Sequence, residues 1–378
     1  MKIVDMQTTL VSRPLAEYVG SGHLYPPTAR DILFLRVDTD AGVSGTGFIT
    51  GLGFVDGSEI RVIRQIVDTA LKHLVMGEDP AFTEWIWDKM FRGTIRFGRK
   101  GAVLRAISLV DIALWDLKGH VYEAPLWELL GGHKREVPVY GSGGHYQAGE
   151  KGHEKLRAEV QELLDVGFRG IKMKVGGRSP YEDFERTAAM REAIGPGVDL
   201  MVDANEGWTV HQAIQFAKLA EPLHLAWIEE PVANDNLEGY RRIAESTATP
   251  LAAGENEYTR YGFYQLIHQG GILVCQVDVT RVGGVSEWMK VANLASAVGI
   301  PVIPHGVHEL HVQLAAASSA VPMLEFFPSN SPIQSFITEC ISGPDTVKQV
   351  SGGTMQVPIG HGFGLSYDAE VIDRYRTD

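Results

Sequence analysis

The sequence predicts an α/β barrel preceded by a smaller α+β segment. From Val137 onward, eight short apolar runs recur with amphipathic helical stretches between them. Strand–helix beats at roughly 25-residue spacing are what an α/β barrel requires. Ahead of them, residues 1 to about 50 read as strands and residues 57 to 130 as helices, an α+β pattern. A doubly wound open sheet is the alternative. No run is followed by a G-x-G-x-x-G turn, so its dinucleotide-binding version lacks support.

The elements follow in order. MKIVDMQTTLV alternates in part, and ILFLRVDTDAGVSGTGFI reads as a hairpin turning at Asp38–Gly42. Between them lies a loop of turn formers and ring residues that contains His23 and Tyr25; loops of this kind often carry ligand contacts. VLRAISLVDIALWDLKGHV has apolar residues at helical spacing and Gly119 near its end. The barrel runs are VPVYGS (137–142), GIKMKV (170–175), LMVDAN (200–205), AWIEEP (226–231), PLAAGE (250–255), VCQVDV (274–279), PVIPHG (301–306) and LEFF (324–327). From Gly352 the tail is expected to leave the barrel and pack back on the first domain.

Composition narrows the function. The chain has 378 residues, 44% apolar, and a formal charge of -13 from 47 acidic and 34 basic side chains. That balance argues against nucleic acid as a partner. No run of about 18 apolar residues occurs, so no membrane span is expected. Cys275 and Cys340 are the only cysteines, which excludes a disulfide scaffold and fits a reducing cytoplasm. Asp5 interrupts any apolar signal sequence.

Ionisable residues fall at the C-terminal ends of the runs, where barrel strands converge on one mouth. The second run carries Lys172 and Lys174, and the third ends with Asp203 and Asn205. Glu229, Glu255, Asp278, His305 and Glu325 follow on the remaining five. Asp203, Glu229 and Glu255 are each one strand–helix unit apart. Neighbouring strands lie about 5 Å apart, so three such carboxylates repel unless a cation compensates. All-oxygen ligation selects a hard ion such as Mg²⁺. Lys172 and Lys174 point the same way on a strand. Each is expected to lower the other's pKa, which suits a base. His305 sits across the barrel, and Asp278 on the preceding run is placed to orient its imidazole. A carboxylate substrate on the metal, with one base removing its α-proton, is the chemistry this set suggests. Taken singly the residues have duller readings. A K-x-K is most often solvated charge, and a strand-end Asp a helix cap. His308 and His311 are rivals for His305, but are expected on a helix with structural roles. Cys275 reads as buried apolar filler.

At these residues the sequence resembles the enolase superfamily and, within it, the mandelate racemase subgroup, over nearly the whole chain. ALWDLKG (113–119) followed by PLWELLGG (125–132) is similar to that family's signature. Lys172-Met173-Lys174 resembles its K-x-K, Asp203, Glu229 and Glu255 its magnesium ligands, and Asp278 with His305 its His-Asp dyad. Glu325 resembles the glutamate that hydrogen-bonds the enediolate oxygen. The resemblance implies a modified (β/α)7β barrel over residues 133–351 with an α+β capping domain over 1–132 and a tail, 352–378, packed on it. It also implies one Mg²⁺ per site, a small-molecule carboxylate substrate and a homo-oligomer. PHGVHELH (304–311) is closer to acid-sugar dehydratases than to the aromatic 2-hydroxy-acid racemase. His23, Tyr25 and Asn205 are expected to bind substrate. The expectation is dehydration of an aldonate or aldarate to a 2-keto-3-deoxy acid, with racemisation or epimerisation of a 2-hydroxy acid as the alternative. A barrel that binds a sugar acid without turnover is a third reading, and it would need a damaged catalytic set.

Overall fold

The computed structural model describes all residues except 16–19, 21–23, 25–26, 54–57, 147–151 and 378. His23 and Tyr25 therefore lie outside the described residues. The cap opens with three antiparallel strands, β1 (Ile3–Pro14), β2 (Ala29–Thr39) and β3 (Ser44–Gly53). The β2–β3 hairpin turns at Asp40–Val43 with Gly42 at φ 76°, a conformation glycine adopts without Cβ strain. Helix Ala102–Val121 lies across β3. The approach is so close that a Cβ on Gly45 would sit 2.3 Å from the Leu117 backbone nitrogen. This helix is buried on nearly every side from Val103 to Leu117, because its other face meets barrel helix Gly284–Ala297.

Polar groups stitch that seam. Asp111 accepts hydrogen bonds from the Ser286 amide (2.8 Å) and hydroxyl (2.7 Å). The Gly283 amide donates to the Ser108 hydroxyl at 2.9 Å. Trp87 Nε1 donates to the Gly283 carbonyl at 2.7 Å. One hydrophobic core runs through the seam from Ile3 to Val371, so cap and barrel are held as one packed body.

The barrel strands are β4 (Glu136–Gly143), β5 (Gly170–Lys174), β6 (Asp199–Asp203), β7 (Trp227–Glu229), β8 (Leu251–Ala253), β9 (Val274–Cys275) and β10 (Leu324–Phe326). They pair in parallel in the order β10-β4-β5-β6-β7-β8-β9. The seventh run, 301–306, contributes a single parallel bridge, Val302 to Cys275. Pro301 and Pro304 lack the N–H groups a ladder needs, which explains why this run does not become a full strand. Alternation along the strands sends every second residue inward. Tyr140, Met201, Trp227, Ala252, Val274 and Ile303 thereby form an apolar plug of their own. Two residues further along, the same inward register reaches Asp203 from Met201 and Glu229 from Trp227. Period-two geometry thus converts the run-end residues into the floor of the mouth.

The tail begins on the barrel and ends on the cap. Thr354–Gln356 pairs antiparallel with Glu136–Pro138 of β4. Helix Ala369–Tyr375 packs on β1, and the Thr377 amide donates to the Leu10 carbonyl at 2.9 Å. Both cysteines are free and buried. Among the described residues no helix is long and apolar enough to cross a membrane.

Candidate active site

Asp203, Glu229 and Glu255 converge as β-register dictates. Asp203 pairs with Glu229 across β6 and β7, and Glu255 follows β8. One oxygen from each lies within 4.8 Å of the others, and all three residues are buried. Compensating charge comes from the neighbouring lysines. Lys172 Nζ is 2.8 Å from Glu229 Oε1, 2.7 Å from Glu325 Oε1 and 3.9 Å from Asp203 Oδ2. Lys174 Nζ bonds Asp203 Oδ2.

The repulsion expected between the lysines is present at Lys174, but it does not decide the net shift. Burial does oppose the charge on each, but Glu229 and Glu325 around Lys172, and Asp203 beside Lys174, outweigh burial and hold both above the ordinary lysine value. At Lys174 the repulsion from Lys172 is a smaller effect than the attraction of Asp203. The carboxylates respond unequally. Burial would raise Asp203, but Lys174 and Lys172 pull it below the usual carboxylate range. Glu229, crowded by burial and by Asp203, is pushed up despite Lys172.

Across the mouth, His305 Nδ1 is 3.0 Å from Asp278 Oδ2, and His305 Nε2 is 3.2 Å from Glu255 Oε2. Burial works against the imidazolium, but Glu255 and Asp278 together raise the His305 pKa. Asp278 is itself fixed by the Thr280 amide and hydroxyl, both at 2.7 Å, and by Arg281 Nε at 3.3 Å. The rivals are accounted for on the helix that starts at His308. His311 accepts from the Val279 amide (3.0 Å) and lies 2.7 Å from the Gly306 carbonyl. Burial lowers its pKa to about 4, so it is a neutral structural imidazole. The His308 ring lies against Phe326 with centroids 4.4 Å apart. Glu325 Oε2 accepts from the Gly306 amide at 2.8 Å, tying the last strand to the His305 loop. Asn205, at φ 42°, donates its amide to Asp203 Oδ1 at 2.8 Å and lines the cavity.

That cavity holds about 650 Å³ between mouth and cap. Lys174 and His305 both line it, with Glu255 between cap and floor. Polar lining residues not singled out from sequence include His145, Arg30, Arg281 and Gln334. His145 follows β4, and burial ahead of the nearby Lys174 and Arg186 lowers its pKa to about 3. Arg281 N–H donates to Asn256 Oδ1 at 2.7 Å and to the Glu255 carbonyl at 3.0 Å. A polar residue at the end of the first run was the available signal for His145.

The donor set fits a divalent ion. It is all oxygen, and its three buried carboxylates each bring one oxygen within 4.8 Å of the others; a hard cation would use such a set.

Residues 155–371 match the model of the enolase C-terminal domain-like family, and residues 26–131 the mandelate racemase/muconate lactonizing enzyme N-terminal domain. The chain belongs to this enolase-superfamily group. Arabinonate dehydratase of Saccharolobus solfataricus is 35% identical over 353 residues, 92% of this chain and 91% of the relative. A racemase from Streptomyces coelicolor A3(2), solved with bound magnesium, superposes with a TM-score of 0.90 at 33% identity, covering 99% of this chain and 100% of its own. L-Talarate dehydratase from Polaromonas sp. JS666, solved with Mg and L-glucarate, gives 0.87 at 30% identity, covering 100% and 98%. Both of these structures hold magnesium, and the buried Asp203–Glu229–Glu255 group of this chain fits such a site.

Proposed function

We propose that this protein is a Mg²⁺-dependent acid-sugar dehydratase that converts a sugar acid to its 2-keto-3-deoxy acid. The observation that carries the reading is the pair of proton-transfer groups flanking one carboxylate cluster, Lys174 on its Asp203 side and His305 on its Glu255 side. Asp203, Glu229 and Glu255 would hold the ion, which when bound acidifies the proton α to a substrate carboxylate. The chain's own residues do the rest. Lys174 or His305 takes the C2 proton; a cation held by Asp203 would offset the carboxylate charge that otherwise keeps the proton on Lys174. His305, whose protonated form Glu255 and Asp278 favour, gives a proton to the C3 hydroxyl, which leaves as water. The enol that remains ketonises at C3. Glu325 and Glu229 hold Lys172 in place, and its ammonium is the positive charge beneath the developing enediolate.

Relatives that are dehydratases support this reading over the other. Racemisation is favoured by the same two-sided geometry and by the Streptomyces coelicolor relative. The two differ in product. A library of sugar acids incubated with Mg²⁺ and assayed for 2-keto acids separates them. Dehydration yields a keto acid and consumes one hydroxyl. Inverted C2 stereochemistry with no keto acid would replace dehydration by racemisation.

A further inference from the structure

We infer that Arg186 is a positioning residue for proton transfer: its guanidinium fixes the strand end that carries Lys174 against the chain that carries His145, and so sets where the Lys174 ammonium meets the C2 proton. The inference rests on the reading of Lys174 as one of the two proton-transfer groups. It goes beyond that reading, since Arg186 acts from a helix, 12 residues past Lys174.

Arg186 lies on helix Pro180–Ile194 and is 0% exposed. Its donors go to backbone. Nη1 donates to the Lys174 carbonyl at 2.5 Å. Nη2 donates to the Gly144 carbonyl at 2.7 Å and to the His145 carbonyl at 3.1 Å. Lys174 is the last residue of β5, and at a strand end carbonyls need donors from outside the ladder. The Gly144 carbonyl also accepts from the Lys174 amide at 3.2 Å. One rigid, planar fork therefore ties the end of β5 to the chain leaving β4, which a single ammonium could not span.

The fork is itself held in place. The Tyr146 ring lies against the guanidinium, with Cζ 4.6 Å from the ring centroid. The Tyr146 hydroxyl donates to Asp183 Oδ1 and accepts from the Gly177 amide at 3.1 Å. Asp183, also 0% exposed, precedes Arg186 by three residues and so shares its helix face. Its Oδ2 accepts from the Gly176 amide at 2.8 Å. The helix opens with a capping box between Ser179 and Glu182, which fixes the turn that carries Asp183. One helix face thus grips residues 144–146 and 174–177 together.

What the network holds is the cavity wall on one side of the carboxylate cluster. Lys174 and His145 both line the cavity. The Lys174 side chain is long and flexible, so its reach depends on where the backbone anchors it. A displacement of about 1 Å can cost about 10²-fold in rate. His305, on the other side, is held by Asp278 and Glu255 instead. Loosening Arg186 should therefore harm proton transfer through Lys174 and spare transfer through His305.

The test follows C2–H exchange in D₂O and keto-acid formation across a sugar-acid library with the Mg²⁺-loaded enzyme. Lys174→Ala and His305→Asn first sort each exchanged substrate by the base that takes its proton. Arg186→Lys keeps the charge but cannot fork across two carbonyls, and Arg186→Met removes every donor. Tyr146→Phe frees the ring from Asp183 while leaving it against the guanidinium. Thermal melts establish which variants are folded, and if Arg186→Met is not, the other two carry the comparison. For Lys174-dependent substrates, kcat should fall about 10- to 10²-fold in Arg186→Met and by less in Arg186→Lys, with KM held within about threefold. Tyr146→Phe should cost roughly 2- to 10-fold on the same substrates. Exchange through His305 should stay within about threefold of wild type in all three, as expected of a separate site. Equal losses on both sides, a KM that rises as far as kcat falls, or wild-type kcat in the folded Arg186 variants each overturns the inference and leaves the dehydratase reading standing. A wild type with keto-acid formation but no Lys174-dependent exchange overturns the inference together with the role of Lys174. No exchange and no keto acid from any sugar acid overturns the dehydratase reading and the inference with it.

Discussion

Asp203 at the barrel mouth and Asp111 in the cap–barrel seam are equally hidden from solvent, each 0% exposed. Their ionisation is driven in opposite directions. Asp111 has hydrogen bonds from Ser286 but no ion pair within 4 Å among the described residues, and burial, outweighing the distant Lys290, pushes its pKa up to about 7. Asp203 has Lys174 and Lys172 within reach and is held below the usual carboxylate range. Burial alone would neutralise both acids, so the lysines decide which one keeps its charge. The seam uses its carboxylate as a hydrogen-bond acceptor that tolerates protonation. The mouth keeps charge in place for chemistry.

The largest break in that contrast comes from removing charge at the mouth. Glu229→Gln keeps the shape but takes one ligand charge from the cluster and one partner from Lys172. Turnover should fall by roughly 10³-fold or more, since the metal supplies several kcal/mol of charge stabilisation. Mg²⁺ affinity measured by calorimetry should weaken in parallel. Retained affinity would move the ion away from these three residues.

Next in size are the two proton-transfer groups. Lys174→Ala and His305→Asn should each cost about 10² to 10⁴ in turnover. One of the two should still exchange the C2 proton with D₂O, because the opposite base survives, and mass spectrometry of recovered substrate reads this directly. Wild-type turnover in either variant would remove that residue from the chemistry. Asp278→Asn is gentler. It keeps the shape, loses the charge that stabilises the imidazolium, and should lower kcat by about 10- to 10²-fold. An unchanged rate would separate Asp278 from His305.

Much of this was legible before any coordinates, and the reason is periodicity. Asp203, Glu229, Glu255, Asp278, His305 and Glu325 close apolar runs, and barrel geometry takes run ends to one place. The K-x-K placement was legible too, but its electrostatics were not. Sequence shows that Lys172 and Lys174 are neighbours. It does not show that Asp203, Glu229 and Glu325 all lie within 4 Å of a lysine Nζ. The seventh run read as a strand because it is apolar, while its two prolines limited it to one bridge. Gln334 was invisible for a different reason. It sits in a loop without period, and its hydrogen bond to Glu309 joins residues 25 positions apart.

The smallest effect sharpens the seam. The folded pKa of Asp111, about 7, lies above its ordinary 3.8, so the folded state binds the extra proton between those values. Stability from this group is present at about pH 4 and is lost as pH rises towards 7, on the order of a few kcal/mol at most. Asp111→Asn cannot ionise. Its melting temperature relative to wild type should therefore rise steadily across that window, with kcat little changed. A pH-independent difference would show that Asp111 stays charged in the seam.

The central claim is that the mouth carboxylates hold a divalent ion for α-proton abstraction. The most direct measurement follows C2–H exchange and keto-acid formation by ¹H NMR in D₂O, with one sugar-acid substrate, before and after chelation. The account predicts that EDTA abolishes both signals and that added Mg²⁺ restores both together. Full exchange and turnover in excess EDTA would contradict it.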